Sequence, residues 1–286
     1  MNFKATQLQA GLYLVATPIG SARDITLRAL DVLASADVIA AEDTRTARKL
    51  MDIHGVAIDG RPLLAFHDHS GAGAVNRLVA EMKAGKSVAY VSEAGTPLIA
   101  DPGYELGRAA MAQDILVTTA PGPSAVIAAL SVAGLPTDRF AFVGFLPSGK
   151  TQRETEIAAL RDTPFTLVFY ESPKRVHGLL ESLREVLGGG RDAVVCRELT
   201  KRFEEVLRGT LDELADQFSG RNVKGEIVVL VGRAGAVDVD DAMIESALRD
   251  AMQTMRVKDA ATTVAGALGL PRRQVYQLAL TLETDK

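Results

Sequence analysis

The chain reads as an α/β protein with two such domains and a helical tail. Short apolar runs alternate with helical patterns along most of the sequence, and several of the runs end at Gly/Pro corners. A length of 286 residues leaves room for two domains, each with a sizeable core. In the first half the patterns predict strands over 12–17, 37–41, 63–66, 87–92 and 115–119, and helices over 26–35, 44–52, 73–84, 103–113 and 123–133. Such alternation implies a mostly parallel sheet. Asp24 or Thr26 is placed to cap the first of these helices and Ser124 the last.

The second half begins after the corner Pro121-Gly122-Pro123. Residues 140–145, 165–170, 194–198 and 226–231 have the apolar content of strands, with helices expected near 151–161, 174–187 and 210–218. The boundary then falls at 120–124. This gives domains over 10–121 and 122–235, with the cleft between them as the natural ligand site. Residues 233–241 read as a linker to a helical tail over 241–286. Within the tail, Lys258–Ala265, a turn at Gly269-Leu270-Pro271 and Arg272–Tyr276 form helix, turn, helix. Either a helix-turn-helix nucleic-acid module or a plain helical hairpin fits this pattern. The near-cancelling charges of the tail weaken the first reading.

Composition narrows the function. The net charge of −4 argues against a general nucleic-acid binder held by bulk positive charge, although a local basic groove stays open. The single cysteine, Cys196, cannot form an intramolecular disulfide, which fits a reducing, cytoplasmic setting. It sits in an apolar run and reads as a small buried hydrophobe. Met1-Asn2-Phe3-Lys4 opens no apolar leader, and no run approaches the roughly 20 apolar residues of a membrane helix. Trp is absent and aromatics are few, which argues against an aromatic platform for stacking bases.

The most informative stretch is Ser92-Glu93-Ala94-Gly95-Thr96-Pro97-Leu98-Ile99-Ala100-Asp101-Pro102-Gly103, directly after an apolar run. Its glycines permit close backbone approach, and its prolines stiffen the turn. Two companions, Leu12–Gly20 followed by Asp24-Ile25-Thr26, and Pro121–Ala125, repeat the strand, corner, helix pattern. Three such corners suggest one cleft built from several strand ends. None ends in Gly-Lys-Ser/Thr, so a triphosphate cradle is not expected.

Together with Ala41-Glu42-Asp43-Thr44-Arg45 and Arg197-Glu198-Leu199-Thr200-Lys201, these segments resemble the tetrapyrrole-methylase superfamily over roughly residues 10–235. Within it they look like the branch that methylates small-subunit ribosomal RNA. Two positions depart from the usual pattern: Ser21 stands where the family has Asn, and Glu93 where it has Asp. The resemblance implies a two-domain tetrapyrrole-methylase-like fold with S-adenosylmethionine in the interdomain cleft. It implies 2′-O-methylation of a decoding-centre cytidine of 16S rRNA in the small ribosomal subunit, by a homodimer that uses no metal. By resemblance, Pro18 and Gly20 form one edge of the cofactor site. Ser92, Gly95, Thr96 and Leu98 form its central loop, and Ser124 and Ala125 its far side. Tyr170 and the Lys224-Gly225-Glu226 corner contribute from the second domain.

A ribose hydroxyl is a weak acid, so a base or a stabilised oxyanion helps its attack. Glu42, Asp43, Glu198, Lys201 and Glu204 are candidates, while Asp43 or Thr44 equally suits a helix cap. Arg197 and Lys201 fit either an internal ion-pair network or contact with RNA phosphate. Lys150, Arg153, Lys174 and Arg175 are expected as further phosphate contacts. Phe66-His67-Asp68-His69-Ser70 lacks a usual zinc spacing, and the resemblance implies a substrate-side loop there, where His67 could meet RNA. The competing functions are a small-molecule methylase of a tetrapyrrole or corrin, and a nucleic-acid-binding regulator acting through the tail.

Overall fold

The structure, a computed structural model, describes residues 3–67, 70–234, 241–268 and 270–284. It divides into one unit of Met1–Leu160 with Phe165–Gly232, and a second of Arg161–Pro164 with Arg233–Lys286. Asp68, His69 and most of the expected linker lie outside the described residues.

The large unit opens with β1 (Gly11–Val15), α1 (Leu27–Ser35), β2 (Val38–Ala41), α2 (Thr44–His54), β3 (Leu63–Ala65), α3 (Ala72–Lys83), β4 (Ser87–Val91), α4 (Tyr104–Met111), β5 (Val117–Ala120) and α5 (Ala125–Ala133). The five strands form a parallel sheet in the order β3-β2-β4-β1-β5. Its faces follow the period of two along each strand. Tyr13, Val15, Ile39, Ala41, Ala89 and Val91 join a cluster with Leu30 and Leu33 of α1 and Met51 of α2. Their alternates Leu12, Val38, Ala40, Val88 and Tyr90 pack with Leu78 and Met82 of α3 and Leu106 of α4. Helices on both faces explain why these strands read as continuous apolar runs. Thr26, not Asp24, caps α1 by accepting from the Ala29 N–H at 3.1 Å.

A polar pin holds the start of β4. Buried Ser87 donates to the Asp37 carboxylate from its N–H at 2.8 Å and from its hydroxyl at 2.6 Å. These bonds hold the Asp37 pKa below its usual value of 3.8. A depressed carboxylate contributes stability that is present above the unfolded-state pKa and lost as pH falls through the folded one. Asp37→Asn should therefore be less stable than the parent at neutral pH, with the gap closing below about pH 4. Urea melts across that range measure it, and a gap independent of pH would remove Asp37 from the acid response.

The chain continues with β6 (Phe140–Phe145), α6 (Lys150–Ala159), β7 (Thr166–Glu171), α7 (Val176–Leu187), β8 (Asp192–Arg197), β9 (Glu205–Thr210), α8 (Leu211–Phe218) and β10 (Ile227–Val231). These strands order as β6-β7-β10-β8-β9, and only β6 and β7 pair in parallel. One face packs Leu167, Phe169, Val195 and Val229 against Ile157 of α6, Leu180 of α7 and Phe218 of α8. The other packs Val168, Val194, Cys196, Val228 and Leu230 against Val126, Ala129, Leu130 and Ala133 of α5. Ile19 and Leu199 complete that second cluster. Helix α5 thus leaves the edge of the first sheet and covers a face of the second.

Strand β9 is an element the sequence reading did not expect. It is an edge strand, bonded only to β8, and its sequence Glu-Val-Leu-Arg-Gly-Thr is half polar. A strand with one partner can carry charge along its open side, so it shows no apolar run.

In the second unit α9 (Asp241–Ala251), α10 (Val257–Leu268) and α11 (Arg272–Thr284) share a core of Ile244, Leu248, Ala261, Val264, Ala265, Val275 and Ala279. The tail therefore has three helices, with α9 added to the expected pair. Among the described residues no helix is long and apolar enough to cross a membrane.

Candidate active site

Strands β1 and β4 are neighbours in a parallel sheet, so their carboxyl ends lie along one edge, where open α/β sheets bind ligands. The loops that leave these ends are tied together. Thr17 and Gly95 exchange backbone hydrogen bonds of 2.8 and 3.0 Å. The Thr96 hydroxyl donates to the Pro123 carbonyl at 2.9 Å, joining the third corner. Gly95 has φ +84°, and a Cβ built there would sit 3.3 Å from Ile19 Cγ2. Leu98 and Ala100 also hold positive φ values, 73° and 57°, which non-glycine residues adopt at a cost.

This edge borders a cavity of about 370 Å³. Gly95, Thr96 and Ile99 form one wall, Ser124 and Ala125 a second, and Tyr170, Cys196 and Val228 of the second sheet a third. The polar lining is one-sided. Glu42, Glu93, Asp101, Glu171 and Glu226 all border the cavity, and among the described residues no Lys, Arg or His does. Burial raises the Glu93 pKa above the usual carboxylate value, with Glu42, Asp43 and Glu226 adding repulsion. The Glu93 N–H donates to Glu42 Oε2 at 3.2 Å, so these two residues are held side by side. Tyr170 is pushed up to about 12 by burial, with Asp101 reinforcing the shift, and stays a neutral phenol. Buried Cys196 is pushed up to about 11, so it is a thiol in the wall and a poor nucleophile. Ser124 occupies the N-cap position of α5, but its side chain makes no capping bond. In its place the Val126 N–H of the first turn donates to the Tyr170 hydroxyl of the second sheet.

The loop after β8 borders the same cavity through Leu199. Glu198 and Thr200 hold φ values of 52° and 63°. Lys201 Nζ lies 2.8 Å from both Glu198 Oε1 and Glu226 Oε2, and the Glu226 N–H donates to Glu198 Oε1 at 3.0 Å. Burial disfavours the charge on Lys201, but the two carboxylates outweigh it and its pKa ends above the usual value. Burial likewise opposes the Glu198 carboxylate, and Lys201 with the Glu226 N–H outweighs it, so Glu198 ends below its usual value. Both stay ionised at neutral pH, which fits Lys201 as a hydrogen-bond donor rather than a base. Gly225 has φ +96°, and an added Cβ would fall 2.3 Å from Glu198 Oε1, so only glycine leaves room for this carboxylate. Gly20 abuts the same loop, where a Cβ would lie 2.5 Å from Thr200 Oγ1. Ser21 meets Thr200 through its backbone N–H at 3.1 Å, so the departure from Asn leaves that bond in place.

Of the residues expected at the site, Glu42, Gly95, Thr96, Ser124, Ala125, Tyr170 and Gly225 line the cavity. Glu198 and Lys201 stand behind Glu226, which lines it. Pro18, Gly20, Ser92 and Leu98 are not among the lining residues. Ser92 is buried beneath the loop, its hydroxyl 3.4 Å from the Gly95 carbonyl. Asp43 caps α2, accepting from the Arg45 N–H at 2.7 Å and pairing with its guanidinium at 2.7 Å. Those bonds lower it to about 2, which makes it a weak base. Glu204 accepts from the Thr200 N–H at 2.6 Å and serves the loop. Sequence reasoning did not place Ile99, Asp101, Phe145 or Glu171 at the site. Asp101 was visible in the Gly/Pro loop, whereas Phe145 and Glu171 stand at the ends of β6 and β7 with no local motif.

The expected phosphate contacts are largely engaged internally. Arg153 is buried and donates to Ser182 Oγ at 3.0 Å. Arg175 pairs with Glu171 at 3.1 Å and donates to the Leu146 carbonyl at 2.6 Å. Lys150 pairs with Glu185 at 3.0 Å, and Arg197 with Glu205 at 3.0 Å. Exposed Arg48 and Lys49 on α2 make no ion pair among the described residues, and that helix starts two residues after Glu42.

Residues 11–215 match the sequence profile of the tetrapyrrole (corrin/porphyrin) methylases. The chain belongs to this family. Residues 238–283 of this tetrapyrrole methylase also match the RsmI C-terminal HTH domain. It is 46% identical over 280 residues to the ribosomal RNA small subunit methyltransferase I of Mesorhizobium japonicum, covering 98% of this chain and 94% of that one. It is 45% identical to the protein of the same name from Xylella fastidiosa, covering 93% and 97% of the two chains. Among solved structures it is similar to the methyltransferase CobJ, with TM-score 0.61 and 21% identity over 79% of this chain and 95% of that one. It is also similar to uroporphyrin-III C-methyltransferase from Thermus thermophilus complexed with S-adenosyl homocysteine. There the TM-score is 0.55 and the identity 19%, over 78% of this chain and 98% of that one. Both structural likenesses speak for the fold of this tetrapyrrole methylase.

Proposed function

We propose that the protein is an S-adenosylmethionine-dependent methyltransferase acting on the ribose 2′-hydroxyl of a decoding-centre cytidine in 16S small-subunit rRNA. The near full-length similarity to proteins named for small-subunit rRNA methylation supports the substrate class. The observation that carries the reading is the acidity of the cavity: five carboxylates line it among apolar walls, and the cations that pair with two of them, Arg175 with Glu171 and Lys201 with Glu226, stand outside the lining. A sulfonium with an ammonium group suits that lining, and a polyphosphate does not. The close backbone at Gly95 and the first turn of α5 suit the amino-acid and adenine ends, so the residues fit this group.

When bound, S-adenosylmethionine supplies an activated methyl group, so the protein mainly aligns the acceptor oxygen with it. Lys201, held by Glu198 and Glu226 at the edge of the cavity and outside its wall, would donate a hydrogen bond to the ribose oxygen of a nucleotide that enters past Glu226, as charge develops on it. Glu93, whose raised pKa makes it a better proton acceptor than an ordinary carboxylate, would take the hydroxyl proton, with Glu42 beside it. In this reading the longer side chain at position 93 serves as the base.

The acid lining also weighs against the small-molecule alternative, since tetrapyrrole precursors carry several carboxylates. The match of the tail to a helix-turn-helix domain supports a role for it in holding RNA alongside the enzyme, in place of a regulator without turnover. Exposed Ile127, Val132 and Phe140 support an apolar contact between two copies, and we place the enzyme in the cytoplasm as a homodimer.

The test is transfer of labelled methyl from S-adenosylmethionine to small ribosomal subunits from a strain lacking the protein. Mass analysis should find 2′-O-methylcytidine at one site. Intact cofactor binding with no transfer to subunits, but transfer to a tetrapyrrole, would overturn the reading.

A further inference from the structure

We propose that Arg202 and Phe203 form a stacking site for an unpaired base of the RNA substrate, beside the nucleotide whose ribose is methylated; this rests on the RNA-methylating reading above. Phe203 is 63% exposed, among the most exposed large apolar side chains of the molecule. The Arg202 guanidinium lies 5.4 Å from the centre of its ring, within cation–π range. An aromatic face with an arginine beside it is how proteins hold single-stranded bases, because every base has a π face and the neighbouring phosphates are anionic.

The position of the pair separates it from a stray surface aromatic. Phe203 is two residues from Lys201, so their Cα atoms are at most about 7 Å apart. The segment is braced on both sides. The Lys201 N–H donates to the Glu198 carbonyl at 3.0 Å, the Glu204 N–H to the Lys201 carbonyl at 3.1 Å, and Thr200 N–H to the Glu204 carboxylate at 2.6 Å. Left-handed backbone at Glu198 and Thr200 sets the turn. The ring is therefore held out from a fixed loop, at low entropic cost to whatever stacks on it. The acid-lined cavity repels phosphates, so an RNA strand must cross its rim with only the reacting nucleotide turned inward. Leu199 of the same loop lines the cavity, and Phe203, four residues on, offers that strand an aromatic face. A single ring on a fixed loop is compatible with the scarcity of aromatics, which argues against an extended stacking platform.

The experiment uses the full-length protein, small subunits lacking the modification, and the variants Phe203→Ala, Phe203→Leu and Phe203→Trp. Stacking predicts that Ala and Leu each raise KM for subunits about tenfold or more, that Trp restores it, and that the Kd for S-adenosylmethionine stays unchanged in all three. Leu performing as well as Phe would overturn the proposal, since it keeps apolar area without a π face. So would a change in sedimentation, which would make Phe203 a contact between copies. Parent protein that leaves subunits unmethylated would overturn the RNA-methylating reading itself, and the stacking site with it.

Discussion

Lys201→Met is expected to lower methyl transfer by about 10²–10⁴-fold while leaving the affinity for S-adenosylmethionine within about threefold. The ammonium sits 2.8 Å from each of two carboxylates, and it is not itself part of the cavity wall. Methionine keeps the length and apolar stem but removes the donor. The loss should appear in kcat rather than KM, because a donor to a developing oxyanion acts in the transition state. The variant also strands Glu198, which keeps the Glu226 N–H but loses its counter-ion. A stability cost of about 1–3 kcal/mol is expected for a charged, part-buried group left this way. Single-turnover rates with saturating cofactor separate the effects. A variant that is destabilised yet transfers methyl at the parent rate would make Lys201 purely structural.

Gly95→Val is expected to weaken S-adenosylmethionine binding by at least about tenfold and to lower Tm by a few degrees. The residue holds φ +84°, where a β-branched side chain costs about 1–3 kcal/mol. Its two backbone bonds to Thr17 tie the β4 loop to the β1 loop, so it cannot relax without opening that bridge. The new side chain would press on Ile19 and intrude on the cavity wall that the proposed function assigns to the cofactor. Calorimetric titration reads the affinity, and thermal melts with and without cofactor read the coupling. Unchanged affinity would move the cofactor away from this loop.

The sheet of the first half was legible because both of its faces are covered. Strands such as Val88–Val91 carry apolar residues at every position and stand out between polar helices. Strand β9 was not, because an edge strand satisfies its fold with Val206 and Leu207 among charged neighbours. The corners at Gly95 and Gly225 were legible because their positive φ values dictate glycine. The acid ring was not: Glu42, Glu93, Asp101, Glu171 and Glu226 come from four separate segments, Glu93 and Asp101 sharing one loop, and only the fold turns them toward one space. Basic residues misled for the converse reason. Arg153 and Arg175 look like surface charge in the sequence, but they hold loops together through Ser182, Glu171 and the Leu146 carbonyl.

The same ring of carboxylates bears on how the enzyme empties itself. Transfer of the methyl group converts a positively charged sulfonium into a neutral thioether. With S-adenosylmethionine as the occupant, the attraction exerted by the wall drops at the moment of reaction, while the apolar contacts stay as they were. On the proposed function, the charge of the wall would then favour the fresh cofactor over the spent one, and most so at low ionic strength. A lining that selected the donor by charge would thereby also bias each cycle toward release.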